Sequence, residues 1–186
     1  MGKLAIGIDI GGTTTKFGVV DAEGNILEQD RISTTKYEDV NLFINDLDSK
    51  LTPMIQRNGG VTNFIGIGVG APNGNYYSGT IEYAPNLNWK GIVPIAELIH
   101  KKIGLPTKLT NDANAAAVGE MQYGYAKGIK HFICITLGTG VGSGIVANGQ
   151  LIYGHDGFAG EPLVVEPGDT SFGSAVEAII RYDSPS

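Results

Sequence analysis

Asp9 stands two residues ahead of the run Gly11-Gly12-Thr13-Thr14-Thr15-Lys16, and Thr136 stands two residues ahead of Gly138-Thr139-Gly140-Val141-Gly142. A loop of glycines and threonines that closes a hairpin lets successive backbone N–H groups point into one concavity, and the threonine hydroxyls add donors without adding charge. That is a phosphate cradle. Asp9 places a carboxylate where a hydrated Mg²⁺ beside the phosphates needs a ligand, and Lys16 brings positive charge nearby. Either loop alone also reads as an ordinary tight hairpin. Two of them in repeated contexts can hold one triphosphate from both sides, which a structural hairpin does not require. The candidate ATP-phosphate set is therefore Asp9, Gly11, Gly12, Thr13, Thr14, Lys16, Thr136, Gly138, Thr139 and Gly140.

A third element, Thr110-Asn111-Asp112-Ala113-Asn114-Ala115, puts a carboxylate at the start of an Ala-rich helix. Capping explains an isolated Asn-Asp pair, because such side chains satisfy the first helical N–H groups. Phosphoryl transfer to an alcohol offers a competing explanation. It needs an acceptor for the hydroxyl proton and a grip on the attacking oxygen, and an Asp with an adjacent amide supplies both.

These residues need elements to position them. Leu4 to Ile8, Lys16 to Val20 and Asn25 to Ser33 read as strands of an antiparallel opening. From Val40 the apolar positions Phe43, Ile44, Leu47, Leu51, Met54 and Ile55 keep helical spacing up to Asn58-Gly59-Gly60, with Pro53 expected to kink or interrupt the helix. A strand over Phe64 to Val69, a long loop, a short helix from Pro94 to Gly104, a strand at Thr107 to Leu109 and a helix from Asn111 to about Tyr123 follow. Strand and helix alternate, as in a mixed or parallel sheet. The later region echoes the opening, with a strand at Phe132 to Thr136, a loop at Gly138 to Gly142, a strand at Gly144 to Ala147 and another segment at Gln150 to Tyr153. Repetition on this scale suggests a duplicated lobe with a cleft between the copies.

The 186 residues, 42% of them hydrophobic, suit one large domain or two small lobes. A net charge of −6 and a pI near 5.0 argue against nucleic acid as a partner. Cys134 is the single cysteine, so neither a disulfide nor an ordinary zinc site is expected, and a reducing cytoplasm fits. No signal peptide and no run of about 18 apolar residues is present, so neither export nor a membrane anchor is expected.

Six motifs in one order resemble the ROK family, the bacterial glucokinases and related sugar kinases of the actin/hexokinase superfamily. They are Asp9-Ile10-Gly11-Gly12-Thr13, Gly68-Val69-Gly70-Ala71-Pro72, Asn86-Leu87-Asn88-Trp89, Asn111-Asp112-Ala113-Asn114-Ala115, Leu137-Gly138-Thr139-Gly140-Val141-Gly142 and Gly157-Phe158-Ala159-Gly160-Glu161. The resemblance covers about residues 3 to 161. It implies an α/β, actin/hexokinase-like (ribonuclease H-like) two-lobed fold whose second lobe is incomplete, with a sugar- and phosphate-binding lobe over 1–120 and a partial lobe over 121–186. It implies ATP and Mg²⁺, a hexose substrate with glucose first, Asp112 as general base, and Asn111, Asn86 and Glu161 as sugar-hydroxyl ligands. Gly70-Ala71-Pro72-Asn73 would form a wall of the sugar pocket. Kinases of N-acetylmannosamine, fructose or allose share these motifs, and homodimers are common in the family.

The sequence also departs from that pattern. After Gly160-Glu161 the family's glycine and histidine and its Cys-rich zinc loop are missing, so no structural zinc is expected. Glu177 either replaces that loop's sugar-binding Glu or is a helix-surface residue, and His155 is either near the site or an exposed turn residue. Family members continue for over a hundred further residues, including those that hold adenosine. Without them the second sheet should expose apolar surface, which binds another chain or destabilises the fold. A non-catalytic sugar or nucleotide sensor, or an inactive fragment, is therefore the alternative to a kinase. The resemblance makes a DNA-binding role unexpected, since Leu4 opens the first strand directly, and neither the sugar-ligand motifs nor the size suggests an actin-like filament subunit.

Overall fold

The structure, a computed structural model, describes residues 3–137 and 141–160. In chain order the elements are β1 (Leu4–Ile10), β2 (Thr14–Val20), β3 (Ile26–Ser33), α1 (Val40–Arg57), β4 (Phe64–Ala71), β5 (Gly74–Asn75), β6 (Thr80–Glu82), β7 (Ile92–Val93), α2 (Ile95–Ile103), β8 (Thr107–Asn111), α3 (Asp112–Tyr123), β9 (Phe132–Leu137), β10 (Val141–Ala147) and β11 (Gln150–Leu151). β1 to β3 form an antiparallel meander because short Gly-containing turns join them, and the helical connections then bring β4 and β8 in parallel to β1. The sheet order is β3-β2-β1-β4-β8.

Leu4, Ile6, Ile8 and Ile10 alternate along β1 onto the buried face. There they meet α1 and α2, and all six apolar α1 positions picked out by helical spacing are buried. Each such side chain contributes roughly 1.5–3 kcal/mol relative to exposure. α1 begins at Asp39, whose carboxylate accepts the N–H of Asn41 at 2.8 Å. The expected interruption at Pro53 does not occur: α1 continues to Arg57, since Pro53 lies on the exposed face, where water can satisfy the carbonyl that loses its partner. α2 ends on Gly104, whose φ of +83° is the left-handed conformation that favours glycine.

The opposite face of the sheet is nearly bare. Gly18, Gly7 and Gly68 lie side by side across β2, β1 and β4. α3 approaches this face at Gly70, where a Cβ would stand 3.1 Å from the Ala115 methyl. On its other side α3 packs against the second sheet, of order β11-β10-β9. That sheet repeats the antiparallel meander of β1 to β3, as the sequence echo implies. The region expected to be one long loop holds the small sheet β5-β6-β7, and Gly142 belongs to β10 rather than to a loop. Among the described residues no helix is long and apolar enough to cross a membrane.

Candidate active site

The chemistry-bearing residues gather where the parallel strands end. Asp9 pairs in register with Lys16 on β2 and with Gly70 on β4, Gly70 pairs with Thr110 on β8, and Asp112 follows β8 directly. In an open α/β sheet the carboxyl ends of the strands form the usual ligand crevice. Asp9, Lys16, Gly70, Thr110 and Asp112 all line one cleft of about 720 Å³.

The first glycine loop is rigidly built. The Gly11 N–H donates to the Thr14 carbonyl at 3.1 Å, and the Thr34 N–H donates to the Thr13 carbonyl at 2.9 Å. Beneath it the buried hydroxyls of Thr15 and Thr34 share a hydrogen bond of 2.8 Å. A Cβ on Gly12 would lie 3.0 Å from the Asn86 carbonyl oxygen, so glycine lets the loop sit directly against the Asn86 segment. Leu87 and Trp89 anchor that segment in the core. Trp89 packs against Phe43 with centroids 4.7 Å apart and the rings tilted by 55°, and it donates its indole N–H to the Tyr37 carbonyl at 3.2 Å. Asn86 remains exposed beside Gly12.

Asn111 is buried and is the N-cap of α3, its side-chain oxygen accepting the N–H of Asn114 at 2.9 Å. Asp112 is exposed toward solvent and accepts the N–H of Ala113 at 2.8 Å. Capping thus falls mainly to Asn111, and the Asp112 carboxylate keeps an oxygen for other work. Burial in the cleft pushes the Asp9 carboxyl above its ordinary value, Lys16 opposes the shift, and the charge of Asp112 adds to it. Two mutually felt carboxylates beside a glycine loop suit a hydrated cation, and Asp9 is the residue here that would hold Mg²⁺. Among the described residues no cluster of three or more His, Cys, Asp or Glu side chains forms a metal site.

Gly70 and Ala71, expected in a loop, end β4 because both pair with β8; after Pro72, Asn73 adopts φ +50° and donates its amide N–H to the Glu82 carbonyl at 2.9 Å. Thr136 lies opposite Gly142 in the β9–β10 pair. His155 is exposed. Gly138, Thr139, Gly140, Glu161 and Glu177 lie outside the described residues. Sequence reasoning passed over Lys108, Tyr76 and Tyr153, which line the same cleft. Lys108 sits over the Tyr76 ring at 5.6 Å, and Tyr76 stacks on Tyr153 at 4.0 Å. The available signal was the period-two alternation of β8, which puts Lys108 and Thr110 on the face opposite buried Leu109.

Comparison with known proteins matches the model of the ROK family to residues 5–162. The chain is 38% identical over 159 residues to a glucokinase of Streptomyces coelicolor, covering 85% of this chain and 48% of that protein. It is 32% identical over 160 residues to the xylose repressor of Bacillus subtilis, covering 84% of this chain and 41% of the repressor. Among solved structures, a ROK family glucokinase from Streptomyces griseus in complex with glucose and AMPPNP superposes with a TM-score of 0.73 at 36% identity, covering 85% of this chain and 49% of the other. The chain thus spans about half the length of the curated relatives it matches. Its fold is the mixed α/β, actin/hexokinase-like fold of the ROK sugar kinases, of which it covers part.

Proposed function

The chain belongs to the ROK family, and on that footing we propose that it carries the sugar- and phosphate-binding part of an ATP-dependent hexose kinase, with glucose as the first substrate to test. One observation carries the reading. Asp9, Gly70 and Asp112 converge at the carboxyl ends of three parallel strands around a single cleft, with Gly12 seated against Asn86.

In this reading the sugar 6-hydroxyl forms a bond to the γ-phosphorus while the bond to the β-phosphate bridging oxygen breaks. ADP leaves, and the hydroxyl proton passes to Asp112. Asn111, Asn86 and Glu161 hold the sugar hydroxyls, and Gly70-Ala71-Pro72-Asn73 walls the pocket. Glu177 is a further candidate ligand. The loops at Gly11-Gly12-Thr13 and Gly138-Thr139-Gly140 cradle the phosphates, since backbone N–H groups fixed in advance stabilise developing charge without reorganising. Mg²⁺ held through water by Asp9 would neutralise phosphate charge. Similarity to the named glucokinases and to the glucose- and AMPPNP-bound structure supports the substrate assignment.

A second reading, a sugar-binding ROK protein without turnover, draws on the similarity to the xylose repressor over the same region. A coupled assay for ADP release with Mg-ATP and a panel of hexoses, run beside calorimetric titration of glucose, separates the two. Turnover on a hexose supports the kinase. Binding without turnover supports the second reading, and neither binding nor turnover removes both.

A further inference from the structure

We propose that Asn75 is a positioning residue for sugar binding, tying the segment that delivers Glu161 to the rim of the cleft. The inference rests on the sugar-kinase reading and names a residue that reading does not include.

Asn75 is only 7% exposed, and its amide N–H reaches across a long sequence separation. Its Nδ2 donates to the Asp156 carbonyl at 2.9 Å, and its Oδ1 accepts the N–H of Tyr77 at 2.9 Å. Gly157 comes so close that a Cβ there would stand 2.7 Å from Asn75 Oδ1, and its φ of +93° also calls for glycine. Two neighbours of Asn75 add to the grip. The Tyr77 hydroxyl donates to the Gly154 carbonyl at 2.9 Å, and Tyr76 stacks on Tyr153 with an interplanar angle of 14°. At the far end of the segment, Ser143 Oγ donates to the Gly160 carbonyl at 2.6 Å.

Residues 153–160 are therefore pinned from both sides, by the β5 region of the small sheet β5-β6-β7 and by β10 of the second sheet. A connecting turn does not require such interlocking, and a ligand-bearing segment does: a contact loses effect once its support slackens by about 0.5 Å. Gly160 immediately precedes Glu161. Asn75 meets this segment at the Asp156 carbonyl and at Gly157, so its effect on sugar binding passes through what the segment carries. Ordering the segment before the ligand arrives lowers the entropic cost of binding.

The test is calorimetric titration of glucose and of Mg-AMPPNP on the 186-residue chain and on Asn75→Ala, Tyr77→Phe, Glu161→Ala and the Asn75→Ala/Glu161→Ala double variant, with hydrogen exchange of residues 153–160 followed in parallel. Asn75→Ala should speed exchange in that segment. It should weaken glucose on the order of tenfold, as expected for one lost hydrogen bond to a charged group, and leave nucleotide affinity unchanged. In the Glu161→Ala background it should cost nothing more. Tyr77→Phe, which removes one hydroxyl from an exposed ring, should move glucose affinity the same way by a smaller factor, and it covers the case of a poorly folding Asn75→Ala. Equal losses with and without Glu161, parallel losses for sugar and nucleotide, or unchanged glucose affinity in both single variants would overturn the inference alone. A wild-type chain that binds no glucose removes the sugar-kinase reading and the inference with it.

Discussion

Asp112 and Asp9 share one cleft but face different demands. Asp112 holds its own Ala113 N–H and stays exposed, an arrangement that asparagine can copy through its amide oxygen while losing the ability to take a proton. Asp112→Asn should therefore lower turnover by about 10²–10⁴-fold and leave glucose affinity within a few-fold, measured as kcat against a calorimetric Kd. A variant turning over at near wild-type rate would assign the base elsewhere. Asp9 is also exposed toward solvent, yet its partial burial in the cleft holds its carboxyl above the ordinary value. A raised carboxyl favours the protonated folded form. The burial cost is thus absent below the ordinary value near 3.8 and grows as pH rises through the raised value. Asp9→Asn should stabilise the fold slightly at pH 7, by no more than about 0.5 kcal/mol at so open a site and seen as a small rise in Tm, and change nothing at pH 3, while weakening Mg-nucleotide binding. A thermal scan showing the variant less stable at pH 7 would contradict that account. Asp9, Gly70 and Asp112 were legible in the sequence because each lies within a contiguous motif whose chemistry depends on residue type and spacing. Asn75 and Tyr153 were not, since their partners lie far away in the chain.

At the scale of elements, the Ala-rich stretch of α3 has a reason that periodicity does not express. A Cβ on Gly144 of β10 would lie 2.6 Å from the Ala117 methyl and 2.9 Å from the Ala113 carbonyl oxygen, and one on Gly142 would lie 2.9 Å from the Ala113 methyl. Small residues on both sides let helix and strand approach closely, so the helix that opens with Asp112 and the strand that follows Gly138-Thr139-Gly140 are held together. Gly144→Ala should cost roughly 1–3 kcal/mol by overpacking, read from urea unfolding. Adding Ala117→Gly should recover only part of the loss, because the Ala113 carbonyl stays in place. Full recovery, or no loss in the single variant, would mean that the helix slides freely on the strand. α1 was legible residue by residue, since a long amphipathic stripe leaves little choice of face. The small sheet β5-β6-β7 was not, because its strands are two or three residues long and their pairing depends on tertiary context rather than on local pattern.

At the scale of the whole molecule, the two sheets differ in how well they are covered. The first buries Leu4, Ile6, Ile8 and Ile10 under α1 and α2. The second rests on α3 with one face only, and on β9 the alternate residues Ile133, Ile135 and Leu137 are 61%, 45% and 59% exposed. Cross-strand pairing sets Ile145 opposite Ile133 and Val141 opposite Leu137, with Ser143 opposite Ile135 between them, so the apolar surface extends onto β10 on either side of one polar residue. Contiguous exposed apolar surface of this kind drives association, and β9 is also an edge of its sheet among the described residues. The chain spans about half the length of its curated relatives. Sedimentation velocity across a concentration series should show self-association of the 186-residue chain, reduced by Ile135→Lys. That substitution sits on an exposed face and should change stability by no more than about 0.5 kcal/mol, so weaker association with unchanged Tm isolates the surface effect. A monodisperse wild-type monomer at every concentration would show that this face is not an association surface.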